Sequence, residues 1–217
     1  MTKNSSTVAV IDYGMGNLHS IAKALQLVAT NVDVQIVADA EAILRADRVV
    51  LPGVGAIGDC MQALNDLGLA NVIRQVAQTK PLLGICLGMQ ALLTDSEENG
   101  TTQGLGIVPG HVLRFPEGLT DDQGNLLKIP HMGWNQVHVN DHPIWHNIAQ
   151  DSRFYFVHSY YAAPDNSAVI AATADYPKPF ACALALDNVF AVQFHPEKSQ
   201  AVGLQLLSNF LQWQGHV

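Results

Sequence analysis

Short apolar runs alternate with helical patterns through the first half of the chain. Thr7-Val8-Ala9-Val10-Ile11 reads as a strand that stops at the turn-like Asp12-Tyr13-Gly14. Asn17 then caps a segment with apolar residues at Leu18, Ile21, Ala22, Leu25 and Val28, the period of a helix. Val32 to Val37 predicts a second strand, and Arg48 to Leu51 a third, cut off by Pro52-Gly53. A helical stretch from Asp59 to Gln78 breaks near Gly68. Pro81 to Ile85 is uniformly apolar, as a strand buried on both faces should be. Strands alternating with helices predict an α/β domain of three layers, a parallel sheet with helices on both faces.

The second half has a different rhythm. Ile107 to Leu113, Trp134 to Val139, Phe154 to Val157, Ala168 to Ala172, Ala181 to Leu186 and Val189 to Phe194 read as strands, some joined by short turns such as Asp187-Asn188. This predicts an antiparallel or mixed extension of the same sheet. A last helix, capped by Ser199, carries Val202, Leu206, Phe210 and Trp213. Pro116 to Gly124 is the most linker-like piece and reads as a hairpin tip. After a polar head, Met1 to Ser6, residues 7–217 read as one domain.

Composition narrows the class. A chain of 217 residues that is 48% hydrophobic can build a core without disulfides or metals. Eleven Lys+Arg against 19 Asp+Glu give a net charge of −8 with no basic cluster, a poor match to nucleic acid or an anionic membrane. No apolar run approaches a membrane span, and the polar start predicts no signal peptide. Cys60, Cys86 and Cys182 are sparse, scattered and odd in number, which reads as reduced thiols in the cytoplasm.

One cysteine stands apart. Gly84-Ile85-Cys86-Leu87-Gly88 fits Gly-x-nucleophile-x-Gly, with an apolar strand before it and a helical pattern (Met89, Leu92, Leu93) after it. The turn is too tight for side chains at the glycines, and a helix N-terminus offers free N–H groups to a thiolate. Cys60, on a helical stretch, and Cys182, in an apolar strand, read as inert core residues. A nucleophilic Cys needs a base, and His195-Pro196-Glu197 follows the last apolar strand. In an extended segment Glu197 points the same way as His195, so its carboxylate can fix the ring's tautomer. Pro52-Gly53-Val54-Gly55, past the third strand, would lie beside Cys86 and supply backbone N–H groups, with that of Leu87, for an oxyanion hole.

Other chemistries fit less well. Gly53 to Gly58 matches G-x-G-x-x-G but is not on the first strand and lacks the acidic residue of a dinucleotide site. His138, His142 and His146 have helical spacing, but Pro143 and the strand-like Val137-His138-Val139 break the face, so no metal is expected. Two alternatives stay open on these residues: another cysteine hydrolase on a similar sheet, or a non-catalytic binding subunit. The first often carries His directly after the Cys, where Leu87 stands. The second would be expected to have lost Cys86, His195 or Glu197.

Gly84 to Gln90, the Pro52-Gly53-Val54-Gly55 loop and Gln193-Phe194-His195-Pro196-Glu197 together resemble class I, triad-type glutamine amidotransferases. Ile11 to Leu18, Pro130-His131-Met132-Gly133-Trp134-Asn135 and His195 to Ser199 resemble, within that family, the glutaminase subunits of imidazole glycerol phosphate synthases in histidine biosynthesis. The resemblance runs from about Val8 to Leu211 and implies a flavodoxin-like fold and no cofactor. It implies Cys86 as nucleophile, His195 as acid and base, Glu197 as its orienting partner, and the Gly53–Val54 and Leu87 backbone as oxyanion hole. Gln90 and the backbone of His158, Ser159 and Tyr160 would grip the α-amino and α-carboxyl end of glutamine. A (β/α)8-barrel cyclase is the implied partner, in a heterodimer. Trp and Met on what reads as an exposed loop point the same way, and Asn17, Met132, Trp134 and Lys198 are expected to face that barrel.

Overall fold

Uniformly apolar strands belong where both faces of a sheet are covered, and the computed structural model, which describes residues 6–121 and 123–216, places them there. The first half runs β1 (Ser6–Ile11), α1 (Leu18–Val28), β2 (Val32–Val37), α2 (Ala40–Arg45), β3 (Arg48–Gly53), α3 (Ile57–Asp66), α4 (Leu69–Thr79), β4 (Leu82–Cys86) and α5 (Leu87–Ala91). Then come β5 (Asp95–Ser96), β6 (Thr102–Gln103), β7 (Gly110–Arg114), β8 (His131–Val139), β9 (Ser152–His158), β10 (Tyr160–Pro164), β11 (Ile170–Asp175), β12 (Pro179–Leu186), β13 (Val189–Val192) and α6 (Gln200–Gln212). Of the polar head, Met1 to Ser5 lie outside the described residues, and Ser6 opens β1 opposite Val32.

The sheet follows the order β2-β1-β3-β4-β13-β12-β10-β7-β5-β6. Its first five members are parallel, and the antiparallel extension starts at the β13–β12 pair. β11 branches from β12, contacts β8, and β8 pairs along its length with β9. Alternate residues of the central strands feed two cores. Ala9, Ile11, Val49 and Leu51 pack with α2 to α5, while Val8, Val10, Val50 and Ile85 pack with α1 and α6. The expected three-layer mixed α/β architecture is therefore present. Among the described residues no helix is long and apolar enough to cross a membrane.

Several local expectations shift. β3 continues through Pro52 and Gly53, because past Val50 it pairs only with β4 and the missing N–H costs nothing on the β1 side. The six-residue α2, capped by Asp39 accepting from the Ala42 N–H at 2.8 Å, is too short to show a period. Asn17 and Ser199 stand before their helices without capping through their side chains. Ser199 Oγ instead donates to the His195 carbonyl at 2.6 Å and accepts from the Tyr155 N–H at 3.0 Å. β7 begins only at Gly110 and β11 only at Ile170, after a 3-10 turn capped by Asn166. β10 was not foreseen. The segment expected as an exposed loop, Pro130 to Asn135, is strand from His131 onward because β9 pairs with it residue by residue. Thr120, in the piece read as a hairpin tip, bridges Leu126 just beyond it, but β7 and β8 on either side do not pair with each other.

Candidate active site

The C-terminal ends of β1, β3 and β4 carry the glycine-rich turns, on either side of the point where connections leave for opposite faces of the sheet. That edge is where open α/β sheets bind ligands. β4 ends at Cys86, whose φ of +55° and ψ of −111° put a side-chain-bearing residue in a strained conformation as the chain turns into α5. The flanking glycines allow it: a Cβ on Gly88 would collide with the Leu51 carbonyl of β3, and one on Gly84 would sit 2.9 Å from the Leu92 side chain. This is the sharp elbow that the motif predicts, although α5 is only five residues long. Burial pushes the Cys60 thiol up to about 11 and the Cys182 thiol well above its ordinary value, in keeping with inert core residues.

His195 Nδ1 lies 2.8 Å from Glu197 Oε1, with both side chains almost fully buried. The route differs from expectation. β13 ends at Val192, and Pro196–Lys198 form one 3-10 turn, so the turn rather than an extended segment brings the carboxylate to the ring. Burial alone would push His195 down, but the Cys86 thiol and the Glu197 carboxylate outweigh it and raise the ring to about 9. Its Nε2 is buried and has no hydrogen-bond partner among the described residues. A base held by a carboxylate on one nitrogen and unsatisfied on the other is equipped to exchange a proton with a nucleophile.

Cys86 and His195 share a cavity of about 310 Å3, a size suited to a small molecule. Val54 and Leu87 line it, as do His158, Ser159 and Tyr160. Gly53 stands opposite Cys86 in the β3–β4 register, packed under Tyr13, whose hydroxyl donates to the Pro52 carbonyl at 2.8 Å. Gln90 is buried and reaches the same cavity. Its Nε2 donates to the Tyr160 carbonyl at 3.2 Å and to Gln193 Oε1 at 3.0 Å, while Gln193 Nε2 donates to Cys86 Sγ at 3.8 Å. The structure adds wall residues that sequence reasoning missed, among them Glu98, Pro130 and Val157. Glu98 comes from the β5–β6 connection and is anchored by the Ile57 N–H at 2.8 Å, a contact across 41 positions that no spacing announces.

Met132 and Trp134 are exposed on β8, as are Asn17 and Lys198 on their turns. Trp134 meets the ring of Tyr155 edge-on at 6.2 Å, and Lys198 Nζ lies 5.9 Å from the same ring. These three side chains form one patch next to the His195 turn. His138, His142 and His146 share no helix: His138 lies on β8 between Asp151 and Asp175, and His142 packs against Phe190. Among the described residues no group of three or more His, Cys, Asp or Glu side chains is gathered to hold a metal ion.

Residues 9–213 match the family of class-I glutamine amidotransferases. The chain is 64% identical to imidazole glycerol phosphate synthase subunit HisH of Methylococcus capsulatus, over 96% of this chain and 97% of that protein. It is 57% identical to the protein of the same name from Nitrosococcus oceani, over 97% and 99%. Among solved structures, one described as a glutamine amidotransferase superposes with a TM-score of 0.71 at 17% identity, covering 94% of this chain and 97% of that one, a likeness of fold.

Proposed function

The chain belongs to the class-I glutamine amidotransferases, and on that premise we propose that it is the glutaminase subunit of an imidazole glycerol phosphate synthase. The observation that carries this reading is the meeting of a strained Cys86 and a Glu197-bound His195 on one small cavity beside glycine-rich backbone.

The chemistry follows from those positions. His195, its Nδ1 held by Glu197, takes the thiol proton on Nε2, and Cys86 Sγ attacks the side-chain amide carbon of glutamine. The C=O electrons move onto oxygen, and the N–H groups of the Gly53–Val54 turn and of Leu87 hold that oxyanion. His195 Nε2 returns its proton to the amide nitrogen, the C–N bond breaks, and ammonia leaves a γ-glutamyl thioester. Water, deprotonated by His195, attacks the thioester and releases glutamate. Glu197 keeps Nδ1 protonated throughout, so Nε2 is always the exchanging atom. Gln90 and the His158 to Tyr160 backbone grip the far end of the substrate, and the Glu98 carboxylate faces its α-ammonium.

Ammonia released to neutral water becomes ammonium, which has no lone pair with which to attack. The product therefore suits a shielded transfer, and the subunit name of the relatives fits an assembly. The partner proposed is a (β/α)8-barrel cyclase that uses the ammonia to make imidazole glycerol phosphate, seated on Asn17, Met132, Trp134 and Lys198. The test is glutamate release from glutamine by the chain alone and with the cyclase and its nucleotide substrate, each against Cys86→Ala. Release that rises with the loaded partner and drops at least about a thousandfold in the variant supports the reading. Equal release by Cys86→Ala would remove the nucleophile.

A further inference from the structure

Strand β8 has two faces with different tasks. Met132 and Trp134 are exposed on one, while His131 is buried and Asn135 half-buried on the other. From the inner face a run of hydrogen bonds reaches the cavity wall. His158 Nδ1 lies 2.8 Å from the Tyr160 carbonyl oxygen, which can only accept. Burial pushes His158 down to about 3 and His131 to about 4, so both rings carry a single proton at neutral pH. The proton of His158 is therefore on Nδ1, and its Nε2 accepts. His131 Nδ1, 2.8 Å from that Nε2, must donate to it. This leaves His131 Nε2 as an acceptor, and Asn135 Nδ2 stands 3.3 Å away to donate. Asn135 is itself oriented, with Nδ2 donating to the Asp175 carbonyl at 2.9 Å and Oδ1 accepting from the Gln136 N–H at 2.8 Å. Donor meets acceptor at each link in one direction only, and moving the proton of either ring to its other nitrogen would set like against like.

The far end of this run is the substrate side. The Tyr160 carbonyl accepts from Gln90 as well as from His158, and the Ser159 carbonyl accepts from the Phe115 N–H at 3.1 Å. The His131 ring is sandwiched by Tyr176 and Phe156, with centroids at 4.0 and 5.0 Å, and does not itself line the cavity. We infer, on the glutaminase reading above, that His131 is a positioning residue for glutamine binding: acting through His158, it holds the His158–Ser159–Tyr160 wall in shape and ties it to the strand that bears Met132 and Trp134.

Two variants separate positioning from bulk. His131→Phe keeps the stacking and removes the donor. His131→Asn restores a donor at the position of Nδ1 and gives up the stacking. Each is measured as the complex with the cyclase and its nucleotide substrate, by glutamate release across glutamine concentrations and by thermal unfolding. His131→Phe should raise the glutamine KM about tenfold with kcat nearly unchanged. His131→Asn should return KM to within about threefold of the parent even though it melts no higher than His131→Phe. A KM that rises in both variants in step with lost melting temperature, or a parental KM in His131→Phe, overturns the inference. Failure of the parent complex to release glutamate would instead overturn the glutaminase reading on which it rests.

Discussion

The two ends of the parallel strands present two depressions of opposite character. At the N-terminal edge lies the larger, about 1070 Å3, lined by Arg45, Asp47, Arg48 and Lys80. At the C-terminal edge lies the cavity of about 310 Å3 that holds Cys86 and His195. Size and charge favour the first, yet its polar groups are occupied. Arg48 donates to the Phe210 and Trp213 carbonyls, Lys80 Nζ to the Leu44 and Ala46 carbonyls at 2.6 Å, and Asp47 accepts from Thr7. Those cations terminate helices and strands. At the other edge the buried Nε2 of His195 has no hydrogen-bond partner among the described residues, and Cys86 and Glu197 raise its ring to about 9. Satisfied charge builds a structure at the first edge, whereas at the second a buried base with a raised pKa and a free nitrogen sits beside a nucleophile on one cavity, the combination that marks where chemistry is done.

Variants at the two edges should therefore fail differently. The largest effect is expected of Glu197→Gln, which keeps the shape of the His195 turn but not its charge. Glutamate release should fall by about a thousandfold or more at neutral pH. The same variant has a pH signature. His195 titrates near 6.5 when unfolded and about 9 when folded. Its contribution to stability is thus fully present below pH 6.5 and disappears as pH rises through about 9. The gap in melting temperature between parent and Glu197→Gln should be widest near pH 6 and narrow as pH rises through about 9. A gap that widens with pH would contradict the His195–Glu197 pairing as drawn.

Next comes Gly88→Ala, whose new Cβ would press on the Leu51 backbone carbonyl. Backbone cannot yield as a side-chain tip does, so a loss of about 2–4 kcal/mol is expected in denaturant unfolding, with activity reduced in what remains folded. Unchanged stability would show that the elbow relaxes freely. Trp134→Ala touches neither edge's polar groups and removes an exposed aromatic anchor. It should weaken binding to the cyclase by about 2 kcal/mol in a titration while glutamate release by the lone subunit is unaltered. Parental affinity would withdraw Trp134 from the interface. Arg48→Met should have the smallest effect on catalysis: it orphans carbonyls at the end of α6 and costs about 1–3 kcal/mol of stability, but kcat/KM should not move. A catalytic defect there would break the contrast between the edges.

Not all parts of the candidate site were equally legible in the sequence. The elbow is local in sequence: glycines two residues either side of Cys86 and an apolar strand before it announce its geometry, although the Leu51 carbonyl that excludes a Cβ at Gly88 is supplied by β3. His195 and Glu197 were readable as a pair for the same reason, though the 3-10 turn that joins them was not. The strand His131–Val139 was half read, since its start alternates exposed Met132 and Trp134 with Gly133 and polar Asn135 and shows no apolar face until β9 pairs with it. Side-chain caps at Asn17 and Ser199 were expected from residue type, but a hydroxyl near a buried His195 carbonyl finds a better use there.

The amino-acid sequence by itself determined the alternation of apolar strands and helices, the elbow and the identity of the nucleophile and its base, because residue type and periodicity over a few positions announce them. Only the tertiary structure decided that Glu98 reaches the cavity, that Gln193 bridges Gln90 and Cys86, and that His131 donates to His158 across 27 positions. Such contacts join residues far apart in the chain. Each becomes possible only when the fold brings segments far apart in the chain together, and there burial keeps the His158 and His131 rings neutral while the Tyr160 carbonyl settles which nitrogen of His158 holds the proton.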